Sequence, residues 1–305
     1  MWTYDDAWAA MHDVLRLSRA MTFKAAVADL PLGGGKGVIM LRPDEAVLTP
    51  ERREAALLDF GDTVESLGGT YLTAEDVGTS EEAMDVIATR TEHVTGLASG
   101  SGDPSPWTAL GCEVALRTTC EYAFGTSDLS GRTVAVIGLG NVGSRLAELL
   151  HAGGAQLIVA DVDQGKRELA ERLGATWTDP HGALTAEVDV LAPCALGGVL
   201  NDDTLPALRC KAIAGAANNQ LASDSHDQAL ADRGILWAPD FVANAGGLIN
   251  IAVELEPEGY STERAELRVR AIGDTLRHIF DKAASSGSTP LRAALELGRE
   301  RLSAA

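Results

Sequence analysis

The stretch from Thr133 to Asp161 constrains this chain more than any other. A β-branched run, Thr133 to Ile137, leads into Gly138-Leu139-Gly140-Asn141-Val142-Gly143, and a helical pattern follows over Asn141 to Ala152 until Gly153-Gly154 stops it. A second apolar run, Gln156 to Ala160, ends at Asp161, 18 residues beyond Gly143. Glycine-rich turns are common, so the hexapeptide alone says little. Between a strand and a helix, with an acidic residue closing the next strand, it fits the fingerprint of a dinucleotide-binding βαβ unit. Gly138 allows the tight turn, Gly140 lets a pyrophosphate approach the backbone, and Gly143 lets the helix pack on the strand. Leu139, Asn141 and Val142 fill the loop and open a helix N-terminus whose N–H groups suit an anion. Asp161 can accept hydrogen bonds from both ribose hydroxyls and would repel a 2′-phosphate, which favours NAD over NADP. A turn used only for packing, or one that cradles another adenosine ligand such as S-adenosylmethionine, shares the same residues.

The strand–helix alternation continues past this unit. Lys166 to Leu173 reads as a helix, and short apolar runs follow at Val188 to Ala192, Ala212 to Ala214 and Ile235 to Ala238. This is the pattern of an open, mostly parallel sheet in an α/β fold. At about 150 residues per domain, 305 residues suggest two domains. The first third mixes patterns. Trp8, Met11, Leu15 and Ala20 share a helical face, Glu51 to Leu67 and Glu81 to Arg90 read as helices, and Tyr71 to Ala74 as a short strand. The small residues, glycines and prolines of Ala98 to Pro106 mark a boundary or hinge. A long helix is expected over Thr108 to Phe124, and helices again over Glu263 to Ala284 and Leu291 to Leu302.

Charge and composition exclude several function classes. Lys and Arg number 25 against 44 Asp and Glu, a formal charge of −19, so a phosphate backbone would be repelled and nucleic acid is not an expected partner. No run approaches the ~18 apolar residues of a membrane span, and the N-terminus lacks the basic-then-apolar order of a signal peptide. Cys112, Cys120, Cys194 and Cys210 show neither C-x-x-C pairing nor a His at zinc-binding spacing, which reads as reduced thiols in a cytoplasmic protein with no metal.

A second glycine run, Gly33-Gly34-Gly35-Lys36-Gly37, is not a P-loop. That motif needs Gly where Leu30 stands and Ser or Thr where Gly37 stands. Lys24 and Lys36 both lie in apolar surroundings. A snorkelling surface lysine would also fit, but a lysine desolvated beside a second cation has a lowered pKa and can act as a base. Asp76, after the short apolar run, reads on its own as a helix cap or turn aspartate.

Six segments, MTFKAAVADLPLGGGKGVI, TAEDVGTS, PSPWTALG, APCALGGVLND, GAANNQLA and APDFVANAGGLIN, occur in this order along nearly the whole chain. Together they closely resemble the Glu/Leu/Phe/Val amino acid dehydrogenase family, most strongly its leucine, valine and phenylalanine branch. The resemblance implies NAD-dependent oxidative deamination of an L-2-amino acid to a 2-oxo acid and ammonium. It implies that Lys24 holds the substrate carboxylate, that Lys36 activates the attacking water, and that Asp76 exchanges protons with the amino group. Thr108 and Asn219 are implied at the nicotinamide end and the substrate, with Asn244 lining the same cleft. Ala74, Leu248 and Ile251 fall where the side-chain pocket is implied; they are apolar, which favours an aliphatic or aromatic amino acid over glutamate. Also implied are a substrate domain over residues 1–103, a doubly wound dinucleotide domain over 104–286, a C-terminal helix over 287–305 that returns to the first, and a homo-oligomer. A related imine-reducing enzyme, or an inactive NAD-binding subunit, are the alternatives. Family members carry further residues ahead of the segment matching Met1-Trp2-Thr3-Tyr4, so strands of the substrate domain, a glycine-rich turn and some subunit contacts are expected to be missing here, leaving an open sheet edge.

Overall fold

The structure, a computed structural model, describes all residues except 46, 96, 98–101 and 305. In chain order the elements are β1 (Trp2–Thr3), α1 (Ala7–Val27), β2 (Met40–Leu41), α2 (Pro50–Ser66), α3 (Glu81–Ala88), α4 (Ser105–Phe124), β3 (Thr133–Ile137), α5 (Asn141–Ala152), β4 (Gln156–Ala160), α6 (Arg167–Arg172), β5 (Thr176–Thr178), α7 (Pro180–Thr185), β6 (Val190–Pro193), β7 (Ala212–Ile213), α8 (Ser225–Asp232), β8 (Leu236–Trp237), α9 (Asp240–Ala243), α10 (Gly246–Glu254), α11 (Thr262–Arg270), α12 (Ile272–Ser286) and α13 (Pro290–Ala304).

Six of the strands form one parallel sheet in the order β5-β4-β3-β6-β7-β8. Counted from β3, that is the doubly wound 3-2-1-4-5-6 order, in which the strand order reverses between β3 and β6. Both faces are covered, as a parallel sheet requires. Along β3, Val134 and Val136 enter the core beneath α4, α5 and the C-terminal helices, while Ala135 and Ile137 enter a second core under α7 and α8. The N-terminal part is smaller. β1 and β2 pair in parallel, α1 connects them, and α2 and α3 bury Leu57, Met84 and Ile87 between them.

Helix ends follow local chemistry. Asp6, Thr49 and Ser80 cap α1, α2 and α3 by accepting from backbone N–H groups three residues on. α4 and α12 stop at Gly125 and Gly287, both left-handed. α13 returns along the N-terminal part: it packs on α1, and Arg301 donates to the carbonyls of Ala26 and Val27 at the end of that helix. Its Gly298 lies so close to Phe23 that a Cβ there would press on the ring at 2.8 Å.

Several expectations are corrected. The face of α1 bearing Trp8, Met11 and Leu15 is turned outward, with Trp8 75% exposed, because α1 is held against its neighbours through small residues such as Ala10, Ala25 and Ala26. Tyr71 to Ala74 is no strand: among the described residues a single bridge, Thr73 to Val94, forms there. Glu263 to Ala284 is two helices that meet at Ala271, two residues before Gly273. Of the expected hinge, 98–101 lie outside the described residues, and Ser105 and Pro106 already belong to α4.

The three fingerprint glycines do different work, which gives a test. A Cβ at Gly143 would overlap the Gly138 carbonyl oxygen, whereas a Cβ at Gly140, whose backbone is extended, meets nothing within 4 Å. Gly143→Ala is expected to destabilise the protein by about 1–3 kcal/mol. Gly140→Ala should change stability by less than about 0.5 kcal/mol. Urea unfolding midpoints of the two variants check this.

Candidate active site

The fingerprint loop sits at the C-terminal end of β3, at the point where the strand order reverses. Gly138 is left-handed (φ 98°), and a Cβ there would press on the backbone of Cys194 and Ala195 in the loop after β6. Gly140 is the N-cap of α5 and offers no side-chain cap, so the first N–H groups of a twelve-residue helix, from Asn141 onward, are left for an external acceptor. Asp161 reaches back into this loop. Its Oδ2 accepts from Leu139 N and its Oδ1 from Asp163 N (2.8 Å). Beyond Asp161 lies an open hollow lined by Val162, Arg167, Trp177, Thr178 and Pro180, with the Arg167 guanidinium 5.4 Å over the Trp177 ring. Sequence reading did not single out Arg167 or Trp177. They converge only because β5 lies beside β4.

The two lysines and Asp76 come together, although they arrive from three different segments. Lys24 is on the last turn of α1. Lys36 follows the glycine run, whose packing explains its composition. Gly34 lies against Ser18 and Thr22 of α1, and Gly35 and Gly37 lie on the rings of Tyr71 and Phe60. Any side chain at these three positions would push the strip away from its neighbours, and Lys36 with it. Asp76 is held in a turn closed by Thr79, whose N–H and Oγ1 both donate to the Asp76 carbonyl, with Gly78 at φ 80°. One carboxylate oxygen accepts from Val77 N (2.7 Å) and the other pairs with Lys36 Nζ. Asp76 is thus both a turn aspartate and the lysine's partner.

Charge sets the titration of this group. Burial alone would raise the Asp76 carboxyl, but the Lys36 ammonium and the hydrogen bonds outweigh it and hold it below the ordinary aspartate value. Burial pulls Lys24 down from 10.5 to about 8; Asp240 is the strongest opposing influence, and Lys36 adds to the lowering.

Across from Lys24 lies the turn after β7. Lys24 Nζ donates to Asn218 Oδ1 (3.3 Å), and Asn244 Nδ2 donates to the same oxygen (2.7 Å) and to the Ala216 carbonyl (3.0 Å). Asn218 was not singled out from the sequence. The neighbouring Asn219 instead takes the left-handed backbone (φ 51°) that turns the chain. Asn244 is buried, and its Oδ1 has no hydrogen-bond partner among the described residues.

The chain was compared with known proteins. Residues 4–93 match the family profile described as Glu/Leu/Phe/Val dehydrogenase, dimerisation domain, and residues 159–305 match that of glutamate/leucine/phenylalanine/valine dehydrogenase. Leucine dehydrogenase of Bacillus cereus is 44% identical over 306 residues, covering 99% of this chain and 82% of that protein. The chain belongs to the Glu/Leu/Phe/Val dehydrogenase family. It is therefore an oxidoreductase acting on CH–NH2 donors. Among solved structures, L-tryptophan dehydrogenase from Nostoc punctiforme superposes with a TM-score of 0.83 at 41% identity, over 99% of this chain and 87% of that one. A hetero-hexameric glutamate dehydrogenase from Thermus thermophilus gives 0.76 at 25% identity, over 95% and 77%.

The remaining candidates of this dehydrogenase are placed as follows. Thr108 lies in the first turns of α4, its Oγ1 donating to the Pro104 carbonyl, where Gly246 and Gly247 at the start of α10 pack against it. Leu248 and Ile251 share one face of α10 and are partly exposed, and Ala74 follows Thr73 two residues before Asp76. No helix among the described residues is long and apolar enough to cross a membrane.

Proposed function

We propose that this chain is an NAD-dependent dehydrogenase of an apolar L-2-amino acid, of the leucine, valine or phenylalanine type. The observation that carries the reading is the meeting of Lys24, Lys36 and Asp76 opposite the Asn218 turn in a chain of this family. Gly140 leaves room where a pyrophosphate would approach, α5 offers uncapped N–H groups, and Asp161 stands at the ribose position, so the residues present fit NAD. The open hollow beside Asp161, walled by Trp177 and Arg167, is read as the place of the adenine end. When bound, NAD accepts the hydride from the substrate's α-carbon.

The chain's own residues do the rest. Lys24 takes the substrate carboxylate, with Asn218 as its neighbour. Asp76 receives the proton of the amino group, so that loss of hydride leaves an iminium carbon. Lys36, once it has released its own proton to solvent, orients and deprotonates the water that attacks this carbon, and its contact with Asp76 gives the proton a path. C–N cleavage then releases ammonium. In sum, amino acid, NAD⁺ and water give 2-oxo acid, ammonium, NADH and a proton. Ala74, Leu248 and Ile251 are read as pocket lining without a cation for a side-chain carboxylate, which favours apolar substrates. Residues 1–103 are read as the substrate domain, 104–286 as the dinucleotide domain and 287–305 as the returning helix. The match to a dimerisation domain supports a homo-oligomer, and the composition suits the cytoplasm.

NADH formation across a panel of amino acids tests the reading: leucine, valine or phenylalanine should be turned over and glutamate should not, and equal use of glutamate would overturn it. Lys36→Ala should lower kcat by about 10²–10⁴-fold with NAD affinity retained. Lys24→Ala should chiefly raise the amino acid KM, by about ten- to hundredfold for a lost charge-assisted hydrogen bond. Cofactor choice is a separate check. NAD should be clearly preferred, and Asp161→Ser should narrow the gap to NADP. Because Asp161 also holds Leu139 N, that variant should bind NAD more weakly as well.

A further inference from the structure

Asp240 has no part in the chemistry described above, yet it is placed behind all of it. It opens α9 directly after Pro239 and is 7% exposed. Its Oδ2 accepts from Gln220 N and its Oδ1 from Phe241 N, each at 2.7 Å. Gln220, fully buried, is fixed in turn. Its Nε2 donates to the carbonyls of Gly215 and Ala217, and its Oε1 accepts from Trp237 Nε1 at 3.0 Å. With that end tied down, the left-handed step at Asn219 sets Asn218 against Lys24.

Hydrogen bonding alone does not account for an aspartate here. A neutral Asn or Ser could accept from one or two of these N–H groups without the cost of removing a carboxylate from water. Burial raises the Asp240 carboxyl above its ordinary value, and the Gln220 N–H and then the Lys24 ammonium oppose that and favour the charged form. The other groups acting on Lys24 are Lys36 from the glycine strip, Asp76 from its turn and Cys112 from α4. Asp76 is already paired with Lys36, and Cys112 is a buried thiol whose pKa burial raises well above its ordinary value.

We propose that Asp240 is a positioning residue with two tasks: its hydrogen bonds lock the Asn218–Asn219 turn against Lys24, and its negative charge keeps the Lys24 ammonium charged between α1 and that turn. The proposal rests on the reading that Lys24 receives the substrate carboxylate. Burial draws Lys24 down and Asp240 draws it back up, so removing the Asp240 charge lets Lys24 lose its proton at lower pH.

The probe is the carboxylic acid analogue of the best amino acid substrate, with hydrogen in place of the amino group, used as a competitive inhibitor across pH. This molecule carries no titrating amine, so loss of inhibition as pH rises reports on the protein. In Asp240→Asn the midpoint of that loss should move down by about one pH unit, weakening inhibition at pH 8 by about fivefold. Affinity for ADP-ribose, which lacks the nicotinamide end, should stay within about twofold. On a Lys24→Ala background, Asp240→Asn should change neither quantity. If Asp240→Asn does not fold, as read by circular dichroism, Asp240→Ser takes its place in the same measurements. An unmoved midpoint, or ADP-ribose affinity falling in step with inhibition, would overturn the proposal. Inhibition unaffected by Lys24→Ala alone would instead overturn the reading of Lys24, so the two failures are distinguishable.

Discussion

Two ammonium groups drawn into one half-buried space are the arrangement on which the rest of this structure depends. Like charges repel, and burial draws Lys24 down further. The fold offsets this with two carboxylates placed on different elements. Asp76, in a turn of the N-terminal part, pairs with Lys36, and Asp240, at the start of α9 beside the parallel sheet, faces Lys24. The result is a cluster close to neutral whose members come from both parts of the chain. A further carboxylate, that of a substrate, would find a cation there whose own counter-charge is committed to backbone N–H groups.

Glycine is the means by which backbone reaches these positions. Gly34, Gly35 and Gly37 let the strip bearing Lys36 press between α1 and the rings of Tyr71 and Phe60. Gly143 lets α5 approach β3, and Gly246 lets α10 rest on the backbone of α4 at Trp107. Both the lysine cluster and the loop at the sheet's reversal point are thus defined by close backbone approach. The α1–α13 contact extends the same logic: Gly298 admits Phe23, and Arg301 holds the terminal carbonyls of α1 two and three residues beyond Lys24.

What the sequence revealed follows from how local each signal was. β3, α5 and β4 were legible to the residue because periodicity, turn chemistry and helix stop coincide within thirty residues. β5, three residues long and defined only by its pairing with β4, carried no such signal. The outward face of α1 was misread because Trp8, Met11 and Leu15 satisfy the helical spacing of a core stripe, while the contact with α13 runs through Phe23 and Val27 against Gly298. Lys24, Lys36 and Asp76 were found through their surroundings and the family's motifs. Asn218, beside the Asn219 that the sequence singled out, went unnoticed, since two adjacent asparagines cannot be told apart until backbone geometry shows which one turns the chain. Asp240 gave no sign, because the partners that matter are a backbone N–H twenty residues away and a lysine on another element.

The electrostatic account is tested most directly by titrating Lys24 itself. With lysine side chains labelled at ¹³Cε and ¹⁵Nζ, the Lys24 signal is assigned by its loss in Lys24→Arg and followed with pH by NMR. The account predicts a midpoint at about 8. A midpoint near the ordinary lysine value of 10.5 would contradict it, because Lys24 would then be either solvated or far more strongly paired than this structure describes.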